Sequence, residues 1–430
     1  MFIVCVMMGL LLLLILLGFP VALGMGLTSV VTLGLLRGFL DIPWDILAQR
    51  VMYGVTNFTL LAIPFFILAG RLCNEAQITD RIFEFAKCLV GHFRGGLGHV
   101  NVLGSMIFAG MSGSAVADAG GLGNMEIKAM VDEGYSLEFS TAVTAASATI
   151  GPIIPPSIPM VIYGAMAGES VAKLLVAGLF PGIIMGLMMM GLLVAMAPCY
   201  GWQAKPRATW REMWAALKRG SLPLLAPALL IGGIVSGVFT PTEAAAIAVC
   251  YALFMGLVYR TLTWQSLRRV LRDSMLDTSI ILLIVAASSI YGWVLARYQI
   301  SSLLVEWIGS VVSSQLAFLL LINIFLLVVG CFIDATPALF ILVPVLMPMV
   351  KQFGIDPIHF GVIMVFNLMI GLVTPPVGSV LYTLNRVTGL SLERLSVAML
   401  PWYVPLAITL TIIVLFPSLS VWLPGAILGR

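Results

Sequence analysis

Charge is what this 430-residue chain has least of. Only 10% of its residues are Asp, Glu, Lys or Arg, 61% are hydrophobic, and the mean hydropathy is +1.11. Soluble chains average about 25% charged and about 45–50% apolar residues, and a water-soluble fold has too little interior to hide this much apolar surface. The shortage excludes a soluble enzyme, a nucleic-acid-binding protein and a disordered scaffold. Histidine is scarcer still, at His92, His99 and His359. The six cysteines (Cys5, Cys73, Cys88, Cys199, Cys250 and Cys331) show no CxxC spacing. They read as small buried residues, with neither a metal site nor a disulfide framework indicated. No P-loop and no HExxH is present, so ATP hydrolysis and metalloenzyme chemistry find no support. The first apolar run has no basic leader or clear cleavage site, and reads as a retained helix.

What the chain does have is apolar sequence in long blocks. A membrane-crossing helix needs about 20 apolar residues. Runs near that length lie at 2–17, 20–36, 52–70, 138–167 and 174–199, and again at 222–238, 242–259, 274–296, 356–388 and 395–422. Two further stretches, 99–131 and 315–350, are too long for one simple span and carry polar breaks at Ser112-Gly113-Ser114 and Asp334-Ala335-Thr336. Both read as re-entrant hairpins, whose polar tips are tolerated only where protein or water covers them. The expected fold class is an all-α polytopic membrane protein.

A shift of 220 residues brings Trp44 onto Trp264, Leu47 onto Leu267, Gly134 onto Gly354, Gly151 onto Gly371, and Pro155-Pro156 onto Pro375-Pro376. A constant offset over most of each half marks an internal duplication. The repeats are expected at 1–200 and 222–430, each with about five spans and one hairpin. A cytoplasmic linker helix over 201–221 joins them. Two amphipathic segments, 76–94 and 298–312, are too polar to span and are expected along the interface as braces.

Five spans is an odd number, so the second copy enters the membrane upside down. Charge agrees: with the N-terminus outside, sixteen of the 22 basic residues, Arg71, Arg81, Lys87 and Lys205 among them, fall in cytoplasmic loops. The six outside are Arg37, Arg50, Lys173, Arg297, Lys351 and Arg430. This bias fits an N-out, C-out inverted repeat. Parity depends on Gly18 and Pro20, because one long helix over 2–36 would make the repeats parallel.

Inverted repeats with interrupted helices are the architecture of secondary transporters, which bind substrate and ions near the midplane at the breaks. Four segments fit that description: GMSGSAVAD (Gly110 to Asp118), GPIIPPSIP (Gly151 to Pro159), CFIDATPA (Cys331 to Ala338) and GLVTPPVGS (Gly371 to Ser379). Each Pro-Pro removes two backbone donors, so a continuous helix is disfavoured there. Carbonyls freed at a break are ready ligands for a small cation, and the amides opening the next half-helix favour an anion. Asp334 sits inside an apolar stretch, where an ionisable group is costly and usually functional, and Asp118 resembles it. Thr336 and Thr374 offer hydroxyls suited to Na+, although Thr also caps helices. Ser112 and Ser114 suit either binding or small-residue packing. Glu243, in Thr240-Pro241-Thr242-Glu243, reads as half of a capping box. Arg386 follows the second break and could meet an anion, though the positive-inside rule alone explains it. The GxSG at Gly110-Met111-Ser112-Gly113 matches an intramembrane protease pattern, but no histidine is placed to serve it.

At these motifs the sequence resembles the large membrane subunit of TRAP (tripartite ATP-independent periplasmic) transporters, the DctM-like family of the ion-transporter superfamily. LLAIPFFILAG (60–70), SGSAVAD (112–118), PIIPPSIP (152–159), FTPTEAAAIAV (239–249), DATPALFILVPVLMP (334–348) and GLVTPPVG (371–378) occur in order over nearly the whole chain. The resemblance implies Na+-coupled uptake of a small organic anion, a carboxylate or sulfonate, across the bacterial inner membrane, with no cofactor beyond the coupling ion. It implies an elevator motion of a transport domain against a scaffold built from 2–70 and 222–296. It implies two partners, a small four-helix membrane subunit and a periplasmic substrate-binding protein. The family's ion and substrate regions map onto Ser112, Ser157, Asp334 and Thr374. With the breaks, the sodium-site candidates become Ser112, Gly113, Asp118 and Gly151 in the first repeat, and Asp334, Thr336, Gly371, Thr374 and Gly378 in the second. The substrate candidates are Ser112, Ser114, Pro155, Pro156, Ser157 and Arg386. The alternative is a stand-alone Na+- or H+-coupled di- or tricarboxylate carrier of the same superfamily.

Overall fold

The computed structural model describes residues 2–76, 78–312 and 314–429, apart from the side chains of Phe2, Val4, Cys5, Trp307, Ser310 and Val311. The expectations for the Cys5 side chain and for Arg430 therefore lie outside the described residues. The first half runs α1 (Phe2–Leu16), α2 (Val21–Arg37), α3 (Trp44–Val55), α4 (Ala62–Glu75), α5 (Ile78–Val90), α6 (Gly96–Ser112), α7 (Ala115–Gly120), α8 (Leu122–Asp132), α9 (Leu137–Ala148), α10 (Ile158–Ala167), α11 (Val171–Ala177) and α12 (Leu179–Met196). The second runs α13 (Trp210–Val235), α14 (Pro241–Val258), α15 (Trp264–Arg297), α16 (Ile300–Val311), α17 (Gln315–Phe332), α18 (Ala335–Gln352), α19 (Pro357–Gly371), α20 (Ser379–Thr388), α21 (Leu392–Met399), α22 (Tyr403–Leu415) and α23 (Ser418–Leu428).

Helix starts follow the local chemistry. Thr209, Thr240 and Thr263 open α13, α14 and α15 with capping boxes. The one at Thr240 is the one expected: Glu243 Oε2 accepts the Thr240 N–H at 2.8 Å, and Thr240 Oγ1 accepts the Glu243 N–H at 3.3 Å. Gly18, at φ +83°, and Pro20 separate α1 from α2, so 2–36 is two helices that pack on each other. The first polar break falls where the pattern puts it, at Gly113-Ser114. The second is at Ile333-Asp334, slightly before the expected Asp334-Ala335-Thr336, because Asp334 caps α18 and Ala335 and Thr336 already belong to its first turn. Both Pro-Pro segments interrupt the helix around them.

Eight helical segments among the described residues are long and apolar enough to cross a membrane. Four of the ten expected spans drop out, because α1 and α2 are short and the Pro-Pro runs 138–167 and 356–388 are each two half-helices. Two are added, because α17 and α18, expected as the arms of a re-entrant hairpin, are each long and apolar enough to cross. Other boundaries shift too. The linker does not hold a helix of its own: α13 begins at Trp210 and continues through Pro223 and Pro227 to Val235, absorbing the expected span 222–238. The run 52–70 is split at Thr56-Asn57, where the Asn57 side chain accepts the Thr59 N–H and starts a 3₁₀ turn before α4. The corresponding stretch of the second half is the uninterrupted, 34-residue α15. Pro401 and Pro417, which have no N–H to continue a helix, lie at the interruptions in 395–422.

The helices pack as two groups. In one, α15 lies against α2, α3 and α4, and α14 against α4 and α13. In the other, α6 packs on α9 and α12, α17 on α19, α10 on α18, and α12 on α22. Amphipathic α5 bridges α13 and α6, and α16 bridges α15 and α18. In lipid the apolar effect between helices is weak, and close approach comes from small residues. Gly371 at the end of α19 meets the Gly330 backbone of α17, and an added Cβ there would stand 2.5 Å from Gly330 Cα.

Several basic residues pair across elements. Arg269 reaches Glu75 at 2.9 Å, Arg219 reaches Glu84 at 3.4 Å, Lys87 and Lys205 share Glu133, and Arg81 stands 3.7 Å over the Tyr259 ring. All five of these cations belong to the sixteen-residue set. Arg37, from the smaller set, instead donates Nε–H to the Tyr298 hydroxyl at 3.2 Å. Exposed pairs of this kind contribute roughly 0–1 kcal/mol each.

Candidate functional site

The two hairpin tips meet at one chamber. It has a volume of about 720 Å³ and is bordered by Ser112 to Ala117 from the first tip and Asp334 to Pro337 from the second. Pro152, Ile158 and Pro159 of the first break complete that side. Across from them stand Arg71 and Asn74 of α4, and Asp277 and Ile284 of α15. Residues more than 200 positions apart in sequence thus face one space.

Each tip is seated on the Pro-Pro break in its own half of the chain. At the first, Gly113 takes φ +63° in the left-handed region, and a side chain there would collide with the Pro156 carbonyl oxygen, 2.6 Å from the added Cβ. Asp118 lies against the Gly151 Cα, so that a side chain on Gly151 would run into its carboxylate. Asp118 is 2% exposed, and neither of its oxygens has a hydrogen-bond partner among the described residues. The buried Ser112 Oγ is likewise unpartnered. Ser114 caps α7 by accepting the Ala117 N–H at 3.4 Å. Ser157 caps α10 by accepting the Met160 N–H at 3.2 Å, and donates to the Pro152 carbonyl within the turn holding Pro155 and Pro156.

At the second tip, Asp334 caps α18 by accepting the Ala335 N–H at 2.9 Å, and Ser379 Oγ donates to the same carboxylate oxygen at 3.4 Å. The Val377 N–H donates to the Cys331 carbonyl at 3.1 Å, tying break to tip. Asp334 is exposed and Thr336 half-buried, and both border the chamber. Thr374 is turned back on its own helix, donating to the Ile370 carbonyl at 2.7 Å. Gly378 opens α20 at φ +49°. Thr374, Gly378 and Gly371 adjoin the second tip without bordering the chamber. Arg386 does not join them: it lies exposed in the last turn of α20.

Buried polar layers hold the tips' helices to the broken ones. Between α6 and α9, Asn101 Nδ2 donates to Thr144 Oγ1 at 2.7 Å, and Ser147 Oγ donates to Asn101 Oδ1 at 2.6 Å. Between α17 and α19, Asn367 Nδ2 donates to Asn323 Oδ1 at 2.8 Å. Sequence reasoning passed over these residues, and also Glu126, which is 1% exposed with both oxygens unpartnered. It assigned Arg71 only to a cytoplasmic loop, yet Arg71 borders the chamber and donates to Asp277 at 2.5 Å. The signal available was Asp277 itself, an acid set inside an apolar run. The ensemble offers carboxylates, hydroxyls and carbonyls to a cation and one guanidinium to an anion. None of the three histidines borders the chamber.

Comparison with known proteins gives a consistent answer. The family model described as "Tripartite ATP-independent periplasmic transporter, DctM component" matches residues 8–419. The "Sialic acid TRAP transporter large permease protein SiaM" of Vibrio cholerae is 46% identical over 383 residues, 89% of this chain and 90% of that protein. The "C4-dicarboxylate TRAP transporter large permease protein DctM" of Pseudomonas aeruginosa is 39% identical over 380 residues, 88% of this chain and 89% of that protein. Among solved structures, the YdaH transporter of Alcanivorax borkumensis aligns with a TM-score of 0.65 at 14% identity, covering 90% of each chain, which is a likeness of fold alone.

Proposed function

This chain belongs to the DctM family of TRAP transporters as a large permease subunit, and from that premise we propose that it carries a small organic carboxylate across the bacterial inner membrane, coupled to Na+, by an elevator movement. The observation that carries the proposal is the chamber, where both hairpin tips face a wall built by the other group of helices. The wall helices α1–α4 and α13–α15 form the scaffold in this reading. The hairpins, broken helices and α12 and α22 move against it, with α5 and α16 as the connecting braces.

Several features support the finer parts. Helices in the two halves begin at matching positions, Trp44 with Trp264, Ala115 with Ala335 and Leu137 with Pro357, each 220 residues apart, which fits inverted repeats over 1–200 and 222–430. The separate helices α1 and α2, with sixteen of the 22 basic residues assigned by sequence to loops on one side, fit an N-out and C-out orientation. The Na+ sites fall at the tip–break contacts in this proposal: Ser112, Gly113, Asp118 and Gly151 at one, and Asp334, Thr336, Gly371, Thr374 and Gly378 at the other. Hydroxyl, carboxylate and carbonyl oxygens are the ligands a hard cation takes. The substrate lies in the chamber against Ser112 and Ser114, and the buried Pro155-Pro156-Ser157 turn, which does not reach the chamber, positions Pro152, Ile158 and Pro159 on its wall. Arg386 has no part in it, because its place on α20 keeps it from the chamber. A small membrane subunit and a periplasmic binding protein complete the system.

Sialic acid, the cargo named for the Vibrio relative, is the first substrate to test, with succinate as the C4-dicarboxylate comparison. In proteoliposomes holding the complete complex, labelled sialic acid should accumulate only when an inward Na+ gradient and the binding protein are both supplied. Equal accumulation without the binding protein would return the chain to the stand-alone carrier reading.

A further inference from the structure

Three charged side chains border the chamber, Arg71, Asp277 and Asp334, and only Arg71 is positive. It is held by a partner that leaves most of its donors unused. Its Nε–H and an Nη2–H both go to a single oxygen, Asp277 Oδ2, at 3.2 and 2.5 Å. Its Nη1 stands 3.8 Å from Asp273, beyond hydrogen-bond reach. A guanidinium has five N–H donors in a planar fork, so three remain without a protein partner among the described residues. The Arg71 and Asp277 side chains are 37% and 42% exposed, and ion pairs solvated to this degree are readily exchanged.

The neighbours of Arg71 point the same way. At Gly70, the preceding residue, an added Cβ would lie 3.2 Å from Ser112 Cα, so α4 touches the first tip one residue before Arg71. Ser112 Oγ, 2% exposed and beside the Asp118 carboxylate, makes no well-formed hydrogen bond among the described residues, and nor does Asn74 Oδ1, one turn further along α4. A carboxylate placed here could take two parallel N–H bonds from the fork, the geometry in which Arg binds it best.

We propose that Arg71 is a specificity-determining residue: it exchanges Asp277 for the carboxylate of the transported anion on the scaffold side of the chamber, and Asp277 takes the guanidinium back when the anion leaves. This rests on the carboxylate-carrier reading above. Asp277 then competes with the substrate, which sets the signs of the test. Removing Arg71 weakens anion binding and removing the Asp277 charge strengthens it. A merely structural ion pair would be broken alike by both changes, with one common effect.

The test uses the complete complex in nanodiscs, titrated with sialic acid and with succinate at constant ionic strength, reading apparent Kd from the thermal midpoint. Losing even one charge-assisted hydrogen bond corresponds to a rise in Kd of about tenfold or more, expected for Arg71→Gln, with Arg71→Lys between it and the wild type. Asp277→Asn should lower Kd several-fold. Anion-free midpoints of both variants should move together, since both lose the same pair. Kd changes of the same sign in the two variants, an unchanged Kd in Arg71→Gln, or a wild-type complex that binds neither carboxylate would each overturn the inference. If carboxylate binding follows these signs while Na+-driven uptake is absent, the transport reading fails and the binding site stands.

Discussion

Gly371 was read from sequence as part of a sodium site, but its position at the α17–α19 crossing gives it a packing role that can be measured separately. A Cβ added there would lie 2.5 Å from the Cα and carbonyl carbon of Gly330 and 2.6 Å from its oxygen. Carbon atoms are at their optimum at about 3.5–4.0 Å, so Gly371→Ala must push the two helices apart by about 1 Å. The contact is backbone on backbone, and no side chain can swing away to relieve it. Overpacking of this kind costs about 1–3 kcal/mol. The Asn367–Asn323 hydrogen bond at 2.8 Å spans the same pair of helices, and stretching it adds about 1 kcal/mol. The expected loss is about 2–4 kcal/mol. Thermal unfolding of the protein in nanodiscs, followed by tryptophan fluorescence, reads it out against Gly191→Ala in α12, where nothing lies within 4 Å of an added Cβ. That control should be neutral or gain up to about 1 kcal/mol from better helix propensity. The same separation loosens the seat of the second tip on its break, so Gly371→Ala should also raise the Na+ concentration needed for half-maximal uptake. A Gly371→Ala protein that melts with Gly191→Ala would refute the close crossing.

Three further outcomes follow from particular residues. Asp334→Ala should suppress Na+-dependent uptake while leaving membrane insertion intact, and an unaltered Na+ dependence would remove Asp334 from the ion site. Burial alone would raise the Glu133 carboxyl, but hydrogen bonds from Lys205 and Lys87, with their charges, outweigh it and hold the group below its ordinary value. A depressed folded value stabilises the protein above the unfolded carboxyl pKa of about 4.3, and this is lost as pH falls through the lower folded value. Glu133→Gln should therefore melt slightly below the wild type at pH 7, with the gap closing as pH falls through the lowered folded value, and a gap that does not shrink on acidification would contradict the pairing. Single cysteines placed in 205–219 should react with an impermeant maleimide from the cytoplasmic side alone, and periplasmic labelling would reverse the orientation.

Most of the fold was legible because its punctuation is chemical. Pro-Pro pairs, Gly-Ser tips and Thr-x-x-Glu caps act within a few residues, so the break at Gly113-Ser114 fell where sequence placed it and the one at Ile333-Asp334 fell within two residues of its expected place. The division of 52–70 at Asn57 was not legible, since an Asn that caps a 3₁₀ turn looks like any polar residue near a span end. The merging of the linker into α13 was hidden because the change from the polar, basic stretch ending at Arg219 to the apolar run from Leu222 looks like a boundary, and the helix passes through it and through Pro223 and Pro227. In the site, Ser112, Ser114, Asp334 and Thr336 were readable as polar residues at apolar breaks. Arg71 was not, because an arginine at a span end satisfies the positive-inside rule whatever it faces. Its role depends on Asp277, 206 residues away, and a pairing across that distance leaves no local pattern.

The central claim, that hairpins and scaffold slide past each other around the chamber, is tested most directly by locking them together. Asn74 of α4 sits against Gly121 of the first hairpin, its Nδ2 and Oδ1 each 2.7 Å from a Cβ added there. In a background with the native cysteines replaced, Asn74→Cys with Gly121→Cys should cross-link under oxidation, stop uptake, and recover it on reduction. Uptake at the full rate from a completely cross-linked protein would contradict the elevator account.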